Sequence, residues 1–490
     1  MKKIYLGISL WLMTGVVFAQ NEEDALRYSR TYFGGTARNS GMAGVMSAFG
    51  GDYSVVAQNP AGLARLRKSN FSSTLNLENL RSEADFYGTQ TKQNELIANL
   101  SNLSYVKAYK LDPKVFNNWY SVQLGMGFNR INSFQQRFLI GGEADSSILH
   151  SFIRQANGIP DSLIYDQLPF GAGLAYDVYA IDPASGNQYT TDFTSGKALH
   201  RRSVICTGGM NEYSFSLSGN YANKLYLGAT FNATRVKFNE TLQHNESFTD
   251  TSLWLQSINY TGKLNTEGWG YNLRVGAIFM PKDWLTIGAS VQTPTRYNLS
   301  DNWSNNMTSM TDEGLKSIDN ANVPVGEYDY RIQTPIKANV SLGVVLEKYG
   351  SLGAEVEFVN YPSAWLASIK NSEAPYLFYK ENLQIQNLYQ TGINYKLGAE
   401  FRVNSQFLAR AGFAYYQSPY RENKGNALNP TLFYTAGLGY NWGKVYLDVA
   451  GVLQNSTNAY YAYDPTINGS KSTIKETNLR FLVSLGIRLD

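Results

Sequence analysis

Short stretches of alternating apolar and polar residues recur along this chain, and the gaps between them switch between very short and very long. Residues 395–403 and 408–416 are separated only by Asn404, Ser405, Gln406 and Phe407. The next gap runs from Gln417 to Asn429, and the one after it is little more than Asn441, Trp442 and Gly443. A period of two marks strands whose two faces meet different surroundings. Tight turns alternating with long loops are the mark of a transmembrane β-barrel, in which lipid-facing and lumen-facing side chains alternate along every strand.

From residue 70 onward the pattern predicts about fourteen strands: 70–79, 102–110, 118–131, 207–221, 224–238, 269–280, 284–297, 336–347, 351–361, 391–403, 407–416, 432–440, 444–453 and 478–489. The third could run on through 136–140. The predicted fold class is therefore all-β, a closed antiparallel barrel. An even strand number puts both barrel termini on one side, expected to be the periplasmic side of the short turns. The faces are clean. Tyr395, Leu397, Ala399, Phe401 and Val403 point one way, and Lys396, Gly398, Glu400 and Arg402 the other. Leu479, Phe481, Val483, Leu485, Ile487 and Leu489 line one face of the last strand, opposite Arg480, Ser484 and Arg488. A β-sandwich also alternates, but without this regular switch of loop length. Trp119, Tyr120, Tyr221, Trp269, Trp284, Tyr361, Tyr440 and Trp442 fall near predicted strand ends, where interface girdles belong.

The N-terminus changes the picture from exported to outer-membrane. Lys2 and Lys3 precede an apolar run over 4–16, and Val17-Phe18-Ala19 supplies a small-x-small cleavage site, so 1–19 is expected to be a signal peptide. No later stretch reaches the length of an apolar helical span. The mean hydropathy of −0.30 fits a barrel, where only alternate strand residues meet lipid. A net charge of +3 gives no nucleic-acid signature. Cys206 is the only cysteine, and the three histidines, His150, His200 and His244, all fall in predicted extracellular loops as ordinary surface residues. No metal site, cofactor or catalytic residue is expected, since no nucleophile, base and orienting group stand out at a useful spacing.

Between the signal and the first strand, residues 20–68 carry Gly34, Gly35, Gly41, Gly44, Gly50, Gly51 and Gly62 and have too few apolar residues for an independent core. Within it, Arg38-Asn39-Ser40-Gly41-Met42-Ala43-Gly44-Val45 and Gln58-Asn59-Pro60-Ala61-Gly62-Leu63 resemble the hatch of FadL-type outer-membrane transporters of hydrophobic compounds (the OmpP1/FadL/TodX family). Ala43 stands where the family has the first Gly of a pair. Gly268-Trp269-Gly270-Tyr271-Asn272, the run from Tyr395 to Arg402, and Arg410-Ala411-Gly412-Phe413 resemble the family's middle and C-terminal strand pairs. The resemblance covers the hatch and roughly half the barrel, and the 133–206 connection matches no family element. It implies a hatch-plugged monomer that passes hydrophobic molecules by diffusion, without ATP or TonB. Some relatives are described as hemin receptors.

Three segments are therefore expected: a signal peptide over 1–19, a hatch over 20–68 that enters the lumen from the periplasmic side, and a barrel over 69–490. A fourteen-strand barrel is too wide for side chains to fill, which gives the hatch its task. Gly41, Gly44, Asn59, Pro60, Ala61 and Gly62 are the candidate gate, with Asn59-Pro60 read as a rigid turn. Lumen-facing cations are expected at Arg274, Lys337, Lys396, Arg402, Arg410, Arg480 and Arg488, against Glu355, Glu357, Glu400 and Asp448. Of these, Arg274, Lys337 and Arg410 are the candidate ligand contacts, because a cation can hold a carboxylate. The expected function is passive outer-membrane transport of hydrophobic, long-chain fatty acid-like molecules. Two alternatives stand beside it: a subunit binding protein cargo in a type IX secretion-type system, docking through the 133–206 loop, and a non-selective porin. Expected partners are a hydrophobic small molecule, outer-membrane lipid and lipopolysaccharide, and no nucleic acid.

Overall fold

The computed structural model describes residues 22–369, 376–422, 429–467 and 470–489. The expected signal peptide over 1–19, and Gln20 and Asn21 of the expected hatch, lie outside the described residues. Fourteen strands form the wall: Ser69–Phe86, Thr89–Lys110, Trp119–Ser133, Ala198–Tyr221, Leu225–Phe248, Leu255–Lys282, Leu285–Gln292, Lys337–Leu346, Gly350–Asn360, Thr391–Arg402, Phe407–Tyr416, Thr431–Asn441, Val445–Tyr461 and Lys471–Leu489. Each is antiparallel to the next. The last pairs with the first from Ser69↔Leu489 to Asp85↔Thr473, so the sheet closes on itself.

The alternation dictates which way each side chain turns. In the tenth strand Tyr395, Leu397 and Phe401 are exposed outward while Lys396 and Gly398 are buried inward. In the last, Phe481, Val483 and Leu485 face out, and Leu482 and Ser484 face in. A continuous apolar exterior of this kind would aggregate in water and is at home only in a bilayer. No helix among the described residues is long and apolar enough to cross a membrane. Trp284 and Trp442 are exposed beside strand ends, whereas Trp269 is exposed midway along Leu255–Lys282, and Tyr440 stacks edge-on against Trp442 at 4.4 Å. Tyr361 departs from the girdle expectation: it is 6% exposed and belongs to an inward cluster.

The long gaps are largely strand rather than loop. The first hairpin continues unbroken to a two-residue turn at Tyr87 and Gly88, whose φ values of 50° and 79° suit a type I′ connection. Beyond the lipid belt the outer face meets water, so pairing persists without apolar alternation: Thr89-Gln90-Thr91-Lys92-Gln93-Asn94-Glu95 is strand and wholly polar. The expected seventh strand is divided, because Pro294 has no N–H for the ladder; its outward half, Arg296–Thr311, pairs with the sixth strand and with Val325–Gln333. The 133–206 connection folds down on the loop end. It adds Gln136–Ala144 to the fourth strand and then forms the helix Ile148–Ala156, which together with Leu174, Phe193, Phe248 and Met307 buries an apolar cap.

Leu485 sits midway along the lipid-facing part of the last strand and is 51% exposed. Leu485→Arg is expected to destabilise the barrel by about 2–4 kcal/mol in bilayers, measured by reversible denaturant titration in vesicles. An unchanged midpoint would contradict the assigned lipid face.

Candidate functional site: the hatch and the cavity beside it

The hatch begins under the loop end, not at the turn end. Its first helix, Glu22–Ser29, is tied there by the Tyr389 hydroxyl donating to the Glu22 carbonyl at 2.9 Å. The chain then descends through the lumen to the first strand. Short helices are built by capping. Thr36 accepts from the Asn39 N–H to start Ala37–Gly41. Asp52 accepts from the Ser54 N–H at 2.7 Å and from the Thr36 hydroxyl at 2.9 Å. Burial lifts the Asp52 pKa above the usual carboxylate range, against the pull of Arg38.

Asn59 is more than the residue before a kink. Its Oδ1 accepts from the Ala61 N–H at 3.1 Å, capping the 3₁₀ helix Pro60–Arg65, and Pro60 takes a first-turn position where a missing N–H costs nothing. Its Nδ2 donates to the Ser47 carbonyl at 3.0 Å within the hatch and to the Ala277 carbonyl at 3.1 Å in the sixth strand. At Gly62 a Cβ would lie 2.8 Å from both Val55 methyls, and Gly44 has φ +79° with Phe33 against it. Ala43 has φ +52°, a conformation that costs an L-residue about 1–2 kcal/mol and explains the family's Gly at this place.

The wall receives this backbone on small residues. A Cβ at Gly228 would stand 2.5 Å from Ala61 N; at Gly288, 2.7 Å from the Ser47 carbonyl; at Gly398, 2.6 Å from the Met42 carbonyl; at Gly412, 2.7 Å from Ala43 N. Between these glycines, short hydroxyls reach the hatch. Ser218 donates to the Pro60 carbonyl at 2.7 Å, Ser290 to Gln58 at 2.6 Å and Thr435 to Gly41 at 2.9 Å.

Charges lock the same seam. Arg38 of the hatch meets both Glu400 oxygens at 3.1 Å, Arg410 meets Glu400 at 2.7 Å, and Arg410 meets Asp448 at 2.6 Å. Arg274 binds Glu212 at 3.2 Å and the Val56 carbonyl at 2.6 Å, and Lys337 donates to the Thr31 hydroxyl at 2.6 Å. The three expected ligand contacts are thus engaged with wall and hatch. Lys396 is paired with Glu355 at 3.0 Å, and Arg402 is exposed instead of lumenal. Arg274 and Lys337 adjoin a space of only about 50 Å³.

A larger cavity, about 390 Å³, lies between the upper hatch and the strands around the first and last. Leu26, Phe33, Phe134, Phe238 and Ile474 give it an apolar lining, and Arg30, Arg130 and Arg480 reach it from different sides. Arg130 Nε and Arg480 Nε and Nη2 are buried with no hydrogen-bond partner among the described residues. The cavity also borders a seam in the wall. The third strand pairs with the second only as far as Asn102↔Asn129. Beyond it the second strand pairs with the first alone, and Gln136–Ala144 joins the fourth. Sequence reasoning placed Arg480 in the lumen but gave no sign of the seam or of unpaired N–H groups. It also missed that His200 and His244 are buried on strands, at 2% and 0% exposure, rather than on loop surfaces. His150 is half-buried on the cap, where its Nδ1 accepts from the Ser147 N–H at 3.1 Å and burial lowers its pKa.

A model of the outer membrane protein transport protein family (OMPP1/FadL/TodX) matches residues 33–481. The chain belongs to this family. Solved structures with the same fold include the P. putida toluene transporter TodX, at 15% identity and TM-score 0.54 over 93% of this chain and 99% of that one. A Pseudomonas aeruginosa FadL homologue is 14% identical, TM-score 0.55, over 94% and 99%. The Ralstonia pickettii toluene transporter TbuX is 15% identical, TM-score 0.50, over 94% and 99%. No curated protein matches the chain. The FadL/TodX family is one of outer-membrane transport barrels and not of enzymes.

Two variants test the seat of the hatch. Glu400→Gln leaves Arg38 and Arg410 short of a shared anion and should destabilise the protein by about 3–5 kcal/mol, read from thermal or denaturant unfolding; a loss under 1 kcal/mol would show that the network is dispensable. Gly412→Val should push the Met42–Ala43 backbone off the wall. Planar-bilayer recordings should then show open steps that the unaltered protein lacks, and a silent variant with a native barrel would contradict the fit.

Proposed function

We propose that this chain moves hydrophobic molecules with an acidic head, of the long-chain fatty acid kind, across the outer membrane by diffusion. The observation that carries this is the 390 Å³ cavity, where Leu26, Phe33, Phe134, Phe238 and Ile474 stand beside Arg30, Arg130 and Arg480, with Glu23, Glu78, Glu240 and Glu476 also in the lining; Arg130 Nε and Arg480 Nε and Nη2 have no hydrogen-bond partner among the described residues. Buried donors without acceptors are costly, and a carboxylate would satisfy them through charge-assisted hydrogen bonds. The volume falls within the range of small-molecule sites.

In this reading 1–19 is a signal peptide, 20–68 the hatch and 69–490 the barrel. The tight turns and both barrel termini face the periplasm, and the long connections face outward. The protein works as a monomer among outer-membrane lipid and lipopolysaccharide. A molecule captured under the cap occupies the cavity with its head at Arg480 and Arg130. It leaves by the seam between the second and third strands, where no backbone ladder closes the wall. Ser101 Oγ, which donates to the Gly35 carbonyl at 2.8 Å, ties the hatch to that seam. Displacement of the hatch around Gly41, Gly44 and Asn59–Gly62 frees the lower lumen, and Arg274, Lys337 and Arg410 hold the hatch in place when no substrate passes. The seated hatch speaks against a steady porin, and the 133–206 connection, folded into the cap, offers no feature particular to protein cargo.

Fluorescent fatty acid uptake into proteoliposomes tests the head-group role. Arg480→Gln should weaken binding of the acid about tenfold or more while leaving a neutral monoaromatic unaffected. Equal loss for both, or for neither, would overturn the acidic-head assignment.

A further inference from the structure

Two of the three histidines meet a carboxylate where the fourth and fifth strands rise beyond the lipid belt. His200 lies opposite Glu246 in register, and His244 precedes Glu246 by two residues on the same inward face. All three are buried, and one ligand atom from each falls within 4.8 Å of the others. His244 Nε2 is 2.7 Å from Glu246 Oε1, and His200 Nδ1 is 3.3 Å from the same oxygen.

The proton inventory is incomplete. His200 Nε2 lies 2.9 Å from the Ser146 carbonyl oxygen. A carbonyl only accepts, so Nε2 carries the proton and the neutral ring turns its Nδ1 lone pair toward Glu246. Nδ1 has no hydrogen-bond partner among the described residues. Two acceptors therefore face each other at a buried place, an arrangement that favours a cation between them. The Nε2–H to carbonyl bond is also the support that orients a metal-binding imidazole.

We propose that His200, His244 and Glu246 bind one divalent transition-metal ion of borderline softness, with Zn²⁺ as the probe. Two imidazoles and a carboxylate suit such an ion, and bonds of about 2.0–2.1 Å would draw the three atoms to about 3.4 Å apart. Binding at His244 Nε2 shifts the ring proton to Nδ1, which has no hydrogen-bond partner among the described residues, and the Ser147 hydroxyl or a water completes the shell. Arg202, across the ladder from His244, opposes a cation, but its Nε is turned to the Tyr460 hydroxyl at 2.9 Å. Burial makes the role structural. Glu246 also accepts from the Ile148 N–H at 2.8 Å and from Ser147 Oγ, at the start of the helix Ile148–Ala156. The ion pins the cap to the barrel wall. The three ligands stand apart from the residues lining the large cavity, so the proposal stands or falls separately from the transport reading.

Full-length, tag-free protein in detergent, stripped with chelator and titrated with Zn²⁺ by calorimetry, tests it. One equivalent should bind and raise the unfolding temperature. His200→Ala and Glu246→Gln should each abolish both effects, and His150→Ala, which alters only the helix cap, should retain them. Heat-modified gel mobility verifies that each barrel is folded. Because Glu246→Gln could weaken the cap by itself, Co²⁺ is added as a second probe; visible d–d absorption in the unaltered protein, lost in His200→Ala, is the expected signature. Failure of the folded, unaltered protein to bind Zn²⁺, or unchanged stoichiometry in His200→Ala, would overturn the proposal.

Discussion

The structure depends on how closely the hatch backbone can approach the barrel wall. A fourteen-strand ring leaves a lumen that its own side chains cannot fill. Residues 41–66 fill it only because the facing wall positions carry no side chain or a short hydroxyl. Gly228, Gly288, Gly398 and Gly412 each place hatch backbone where a Cβ would stand. Once the backbones touch, carbonyls that would be stranded in the lumen find Ser218, Ser290 and Thr435. The hatch is therefore seated by polar contacts on small residues together with apolar clusters shared with the wall, such as Tyr53, Val56 and Leu63 with Val106 and Ala61 and Ala64 with Tyr226 and Ile278.

The charged residues follow from the same arrangement. Arg38, Glu400, Arg410 and Asp448 alternate in sign from hatch to wall, so each buried charge has an opposite neighbour. Breaking such a network at one member costs more than its net stabilisation, which makes it a lock. Arg130, whose Nη2 donates to the Gly208 carbonyl, and Arg480 lie above the lock, beside the cavity of about 390 Å³. Wall, lock and cavity thus place the hatch restraint low in the lumen and a cavity with both apolar and charged lining high.

Much of the wall was legible in the sequence. Tyr395, Leu397 and Phe401, or Phe481, Val483 and Leu485, reveal their face because lipid demands apolar residues at every second position. The upper strands were not legible, since Thr89–Glu95 meets water on the outside and alternation carries no signal there. For the same reason His244-Asn245-Glu246 read as loop, although its two-residue spacing is that of ligands on one strand face. Arg274, Lys337 and Arg410 were correctly turned inward. Their partners, Glu212, Thr31 and Asp448, lie far away in sequence: Glu212 and Asp448 stand two strands over in the meander, and Thr31 arrives with the hatch. The inward glycines were visible as a stripe opposite the apolar one, but what they receive is set by a hatch whose path periodicity does not describe.

Hydrogen exchange of the hatch during transport tests the central claim most directly. In proteoliposomes, amides of residues 53–66 should be protected without substrate and should exchange faster while oleate is crossing, with the barrel strands unchanged. A hatch that stays equally protected while oleate passes at full rate would contradict a gate held by these contacts.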